Sequence, residues 1–186
     1  MNTLIFVTGN KGKVKEAEKK FEKFDIKVVQ KDIGYPEPQV ESLEEVANFG
    51  INFLKNKIDS PFIIEDAGIF IDSLKGFPGV YSKYVFYTIG CNGILKLLEN
   101  KENRHAVFKS LYAYYRPGKK TKLFLGKCEG KISDKIIGSK GFGYDPIFIP
   151  KDHSKTFGEM EATEKNMFSH RGKSLEKLID FIKNDK

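Results

Sequence analysis

The sequence predicts an α/β fold with a mixed sheet. Short apolar runs bounded by turn residues alternate with stretches of helical period. Two long β-rich stretches in the middle of the chain are joined by a hairpin turn, Arg116-Pro117-Gly118-Lys119, which brings antiparallel pairing into the sheet. No internal repeat, low-complexity tract or linker interrupts the 186 residues, so residues 1–186 read as one domain.

Leu4–Val7 is a continuous apolar run, as a buried strand requires. Thr8-Gly9-Asn10-Lys11-Gly12-Lys13 breaks it, and Val14, Ala17, Phe21 and Phe24 then recur at helical spacing. Ile26–Gln30 predicts a second strand. Gly34-Tyr35-Pro36-Glu37-Pro38-Gln39 is a loop stiffened by two prolines. Ser42 followed by Glu45 predicts a capping box, with Leu43, Val46, Ala47, Gly50 and Leu54 on one helix face. Phe62-Ile63-Ile64 predicts a strand ending in Glu65-Asp66-Ala67-Gly68, with extended chain resuming over Ile69–Leu74. Gly90–Asn100 predicts a short helix, and Ala106–Tyr115 and Thr121–Ile132 the hairpin strands. Gly141-Phe142-Gly143-Tyr144-Asp145-Pro146 is a glycine-rich aromatic loop. Leu175, Leu178, Ile179 and Ile182 stripe a C-terminal helix.

A formal net charge of +7 favours anionic partners without choosing among nucleotides, nucleic acid and lipid. The excess is lysine, since Arg104, Arg116 and Arg171 are the only arginines, and most of it reads as solvated helix surface. Cys91 and Cys128 form no metal-type pair, which argues against a zinc site or a disulfide framework. The opening apolar run is too short for a signal peptide, and no stretch of about 18 apolar residues occurs. A cytoplasmic protein with no membrane partner is expected.

Four places could carry chemistry. The loop Thr8–Lys13 lies between a strand and a helix, where N–H groups and the helix dipole favour phosphate. Gly9 and Gly12 allow close approach, and Lys11 and Lys13 add charge; the alternative is an ordinary βα loop, for no Walker A pattern is present. Asp66, at a strand end, reads as a magnesium ligand or base, with Glu37 as a second carboxylate, or else as a turn aspartate. Phe142-Gly143-Tyr144-Asp145 offers rings that could stack on a base or fill a core. Ser169-His170-Arg171 offers hydrogen-bond donors, or a helix cap beside a solvated pair.

Taken in order, these segments resemble the inosine triphosphate pyrophosphatase family. The matching motifs are Thr-Gly-Asn-x-x-Lys at 8–13, Glu-Asp-x-Gly at 65–68, Gly-x-Pro-Gly-x-Tyr-Ser at 76–82, Phe-Gly-Tyr-Asp-Pro at 142–146, Glu-Lys-Asn at 164–166 and Ser-His-Arg-Gly at 169–172. The resemblance implies an elongated α/β structure with a long curved mixed sheet and two lobes around an active-site cleft. It implies a magnesium-dependent homodimer that cleaves ITP, dITP and XTP to monophosphate and pyrophosphate. By the same resemblance, Thr8, Gly9, Asn10, Lys11, Gly12 and Lys13 cradle the triphosphate. Glu37 and Asp66 hold the metal, Asp66 activates water, and Ala67 lines the substrate wall. Phe142, Gly143, Tyr144 and Asp145 lie against base and ribose, Lys165 reaches the phosphates, and His170 and Arg171 approach the base. Ala67 stands where many members have serine, and Glu41 is the alternative to Glu37. Pyrophosphatases of other modified nucleotides and, from another class, a basic nucleic-acid-binding module are the competing readings; the first reading expects no nucleic-acid partner.

Overall fold

The computed structural model describes residues 2–36 and 38–184. Its elements run β1 (Asn2–Val7), α1 (Lys11–Phe21), β2 (Ile26–Lys31), α2 (Leu43–Leu54), β3 (Phe62–Ile71), α3 (Ser82–Thr88), α4 (Gly90–Leu97), β4 (His105–Tyr115), β5 (Lys122–Ile132), β6 (Phe148–Pro150), α5 (Ala162–Lys165) and α6 (His170–Asn184). The strands form one sheet in the order β2-β1-β3-β4-β5-β6. β1 pairs in parallel with β2 and β3, while β6 pairs antiparallel with β5, so the sheet is mixed as expected. No helix among the described residues is long and apolar enough to cross a membrane.

Two compact units divide the chain, and each has its own core. The first takes the stretch up to Asp66, Leu111–Phe124 and the chain from Ser174. Its core joins Leu4 and Phe6 of β1, Val14, Ala17 and Phe21 of α1, Val28 of β2, Ile63 of β3, Tyr112 and Tyr114 of β4, and Leu175, Leu178 and Ile179 of α6. The three α1 residues follow one another at three and four positions, so they share the face turned to the sheet. β2 alternates instead: Ile26 and Val28 are buried and Lys27 and Val29 exposed. Burying each large apolar side chain contributes about 1.5–3 kcal/mol. The predicted capping box of α2 is formed, Ser42 Oγ accepting from Glu45 N and Glu45 Oε2 accepting from Ser42 N.

The second unit takes Ala67–Ser110 and Leu125–Lys173. Ile69 and Ile71 of β3, Val85 of α3, Ile94 of α4, Phe108 of β4, Ile132 of β5, Phe148 of β6 and Phe157 build its core. Phe108 meets the edge of Phe148 with ring centres 4.7 Å apart, the geometry that aromatic quadrupoles favour.

One expectation needs correction. β3 does not end at Glu65-Asp66 but runs unbroken to Ile71. Pairing across the sheet outweighs the turn preference of Asp-Ala-Gly, because β propensity is set by context more than by residue type. The aromatic stretch Tyr84–Tyr87 lies on helix α3.

Candidate functional site

In the first unit, the loop after β1 is held by its own side chains. Thr8 Oγ1 accepts from Asn10 N at 3.1 Å, and Gln30 Nε2 donates to Thr8 O at 2.8 Å. Asn10 Oδ1 caps α1, accepting from Gly12 N at 2.9 Å and Lys13 N at 3.2 Å. Two helix-terminal donors are thus already engaged. Among the described residues, Gly9 N, Lys11 N, the Thr8 hydroxyl and the exposed Lys11 ammonium are donors that an anion could use. Lys11 is exposed. Lys13 reaches from the first turn of α1 to β3, where Nζ lies 2.7 Å from Glu65 Oε2 and donates to Glu65 O at 3.0 Å.

The β1–β3 register runs through Ile5↔Phe62 and Phe6↔Ile63. Glu65 and Asp66 therefore stand beyond the end of β1, beside the loop that opens at Thr8. The strand whose carboxyl end marks this place is β1, not β3. Adjacent strand residues face opposite sides of a sheet. Ile63 and Glu65 face the side covered by α1, and Asp66 shares the parity of Ile64, so the two neighbouring carboxylates leave β3 in opposite directions. Glu65 is buried and Asp66 half-buried. Glu37 lies outside the described residues. Among the described residues no three His, Cys, Asp or Glu side chains gather as a metal-binding set. A hard cation takes oxygen ligands, and the Asp66 carboxylate would offer one such donor.

In the second unit, Ala67 is half-buried, and Gly68 follows with no room for a side chain. A Cβ there would collide with the carbonyl of Gly79. Ser82 Oγ closes the same spot, accepting from Ile69 N at 2.9 Å and donating to Gly79 O at 2.6 Å. The Glu-Asp-x-Gly and Gly-x-Pro-Gly-x-Tyr-Ser motifs are thereby two halves of one backbone contact, and Gly79 and Ser82 carry a structural duty that the motif match alone did not reveal.

The aromatic loop has an inward and an outward ring. Tyr144 is buried and donates its hydroxyl to Ser82 O at 3.1 Å. Burial pushes its ionisation far above the usual range for tyrosine. What Tyr144 can offer a ligand is its backbone. Phe142 is the outward ring, 44% exposed. Lys165 Nζ and Arg171 Cζ each lie 5.1 Å from its centre, within cation–π range. Both cations are buried. Asp145 holds the loop, its Oδ2 accepting from Phe142 N at 2.8 Å and from Lys165 Nζ at 2.6 Å. Gly143 has φ of 63°, a left-handed conformation that glycine adopts without cost, and its carbonyl accepts a long contact from Cys91 Sγ at 3.6 Å. His170 is buried, its ring stacked on Phe108 at 4.5 Å and 8°.

Burial pushes both the Cys91 and the Cys128 thiol up to about 11. At neutral pH both are protonated, and neither is an activated nucleophile.

The Ham1 family model matches residues 4–181. The chain is 53% identical to a dITP/XTP pyrophosphatase of Pyrococcus horikoshii over 180 residues, covering 97% of this chain and 96% of the other. Identity to a dITP/XTP pyrophosphatase of Thermococcus kodakarensis is 49%, over 97% of each chain. A solved HAM1 protein from Coxiella burnetii superposes with a TM-score of 0.90 at 26% identity, over 99% of this chain and all of that one. The Ham1 protein of Staphylococcus aureus superposes with a TM-score of 0.88 at 27% identity, over the whole of both. From its motifs through its sheet order to these matches, the chain belongs to the Ham1 family.

Proposed function

We propose that the protein hydrolyses non-standard purine nucleoside triphosphates (ITP, dITP and XTP) to the monophosphate and pyrophosphate, and so clears deaminated purines from the nucleotide pool. The observation that carries this reading is the outward Phe142 ring with the two buried cations Lys165 and Arg171 beside it. It lies in a chain that matches two dITP/XTP pyrophosphatases over 97% of its length. A π-face next to fixed donors suits a flat base that presents acceptor oxygens and carries phosphate.

The residue roles follow from donor chemistry. Thr8–Lys13 binds the triphosphate through backbone N–H groups and lysine ammonium groups. Lys165 adds charge for the phosphates. Phe142 stacks the base, with Gly143, Tyr144 and Asp145 shaping that wall and Ala67 contributing backbone. Arg171 and His170 donate to the base. Asp66 accepts the proton of the attacking water, which adds to the α-phosphorus as pyrophosphate leaves. Lys13 and Lys165 stabilise the charge that builds on the phosphoryl oxygens. Asp66 and Glu37 would hold magnesium, which when bound supplies further charge neutralisation to the phosphates.

The chain acts as one catalytic domain over residues 1–186, as a cytoplasmic homodimer, without nucleic-acid or membrane partners. Exposed Tyr84 and Tyr87 on α3 support self-association, because aromatics are enriched at interfaces. The test is a panel of triphosphates assayed for pyrophosphate release with magnesium and with EDTA. Release from ITP and XTP, abolished by EDTA, is expected; equal turnover of all triphosphates, or orthophosphate as product, would overturn the reading.

A further inference from the structure

An ammonium group has three N–H donors. Lys13 meets one residue twice: Nζ donates to the Glu65 carbonyl at 3.0 Å, and the Glu65 carboxylate Oε2 pairs with it as an ion at 2.7 Å, out of hydrogen-bond alignment. The contact spans 52 residues of sequence, from the first turn of α1 to the middle of β3. The Glu65 side chain is fully withdrawn from solvent, and the Lys13 side chain keeps 15% exposure. A buried carboxylate is costly unless it is paired, so this one needs a reason for its place. The Lys13 side chain makes no other hydrogen bond or ion pair among the described residues. With one N–H anchored on a rigid strand and the carboxylate holding the charge beside it, the ammonium is confined to one orientation. A lysine on a long flexible stem otherwise loses rotamer freedom on meeting a ligand.

We infer that Glu65 is a positioning residue for the triphosphate: it holds Lys13 through a hydrogen bond to its main-chain oxygen and an ion pair to its carboxylate, and so aims a remaining N–H at a phosphate oxygen. This rests on the proposed phosphate role of the Thr8–Lys13 loop. Glu65 itself touches no substrate. Its effect belongs to orientation, so a neutral acceptor of the same shape should replace it and an apolar side chain should not. Losing the grip leaves a charged but wandering ammonium, which still attracts polyanions and no longer holds its place in the transition state.

The experiment compares Glu65→Gln and Glu65→Leu with the unaltered protein. For ITP, Glu65→Leu is expected to lower kcat about tenfold or more, while Glu65→Gln stays within about threefold. KM should change little in either. In a Lys13→Met background, Glu65→Leu should lower kcat no further; that double variant also removes both buried charges and keeps the test open if Glu65→Leu alone fails to fold. A second readout needs no turnover. The Lys13 ammonium resonance in ¹H–¹⁵N spectra should be resolved in the wild type and in Glu65→Gln, shift on addition of inorganic tripolyphosphate, and be lost in Glu65→Leu. Equal kcat in all three proteins would overturn the inference. So would an equal loss in the Gln and Leu variants, or a Lys13 resonance indifferent to tripolyphosphate. A wild type inactive on every triphosphate would sink the proposed activity alone and leave the Lys13 resonance to decide the role of Glu65.

Discussion

Lys165 Nζ lies 2.6 Å from Asp145 Oδ2, with 7% and 2% of the two side chains exposed. The same oxygen takes the N–H of Phe142. Truncating Asp145 to alanine would therefore strand a buried cation and a loop amide together. A loss of about 3–5 kcal/mol is expected, as for other broken buried pairs. Denaturant titration measures it; a loss under 1 kcal/mol would mean that the pair behaves as a surface ion pair.

Asp66→Asn keeps the shape of the side chain and removes its charge and its basicity. Turnover of ITP should fall by roughly 10²–10⁴-fold. The melting temperature should hardly move, because Asp66 is half-buried on a strand that runs on past it. Steady-state kinetics and a thermal melt check both halves. Near-normal turnover, with EDTA also harmless, would remove Asp66 and the cation from the mechanism.

Arg171 has donors only, and its guanidinium is buried beside Phe142. Hypoxanthine and xanthine present an oxygen at C6, whereas adenine presents an amine. A buried donor facing an amine costs about 1–3 kcal/mol or more when charged, and such sites can discriminate by roughly 10⁴-fold. ITP and XTP should lead, with GTP much weaker and ATP weakest. Arg171→Ala should lower ITP turnover more than ATP turnover. An equal loss for both would place Arg171 on phosphate rather than on the base.

Both thiols ionise near 11 in the fold and near 9 when free. A thiol whose folded value is raised contributes stability that is complete below the free value and is lost as pH rises through the folded one, here between about 9 and 11. At pH 7.5 the native thiolate fraction is about a hundredfold below that of the unfolded chain. Iodoacetamide should label native protein at least that much more slowly than protein in urea. Rapid native labelling of either cysteine would contradict the burial that causes the shift.

The parts of this fold that could be read in advance are those whose cause is local. The box at Ser42 and Glu45, the period of Val14, Ala17 and Phe21, and the turn at Arg116–Lys119 each depend on a few neighbouring residues. Asp-Ala-Gly misled, because the turn preference of three residues yields to pairing along ten-residue β3. Tyr144 and Phe142 are two apart and adopt opposite fates, one buried and one exposed, and no composition rule separates them. The Lys13–Glu65 grip joins residues 52 positions apart and exists only in three dimensions.

The first core takes Leu4 and Phe6 from the opening strand, Tyr112 and Tyr114 from mid-chain, and Leu175, Leu178 and Ile179 from α6. The second core lies in between, wholly within Ile69–Met160. During vectorial synthesis, the unit that is begun first is therefore the one that closes last. Its apolar strands and helices must wait for α6 to leave the ribosome, while the inner core already has all its residues. Any chain stopped before Ser174 leaves the first core uncovered, whatever the state of the second.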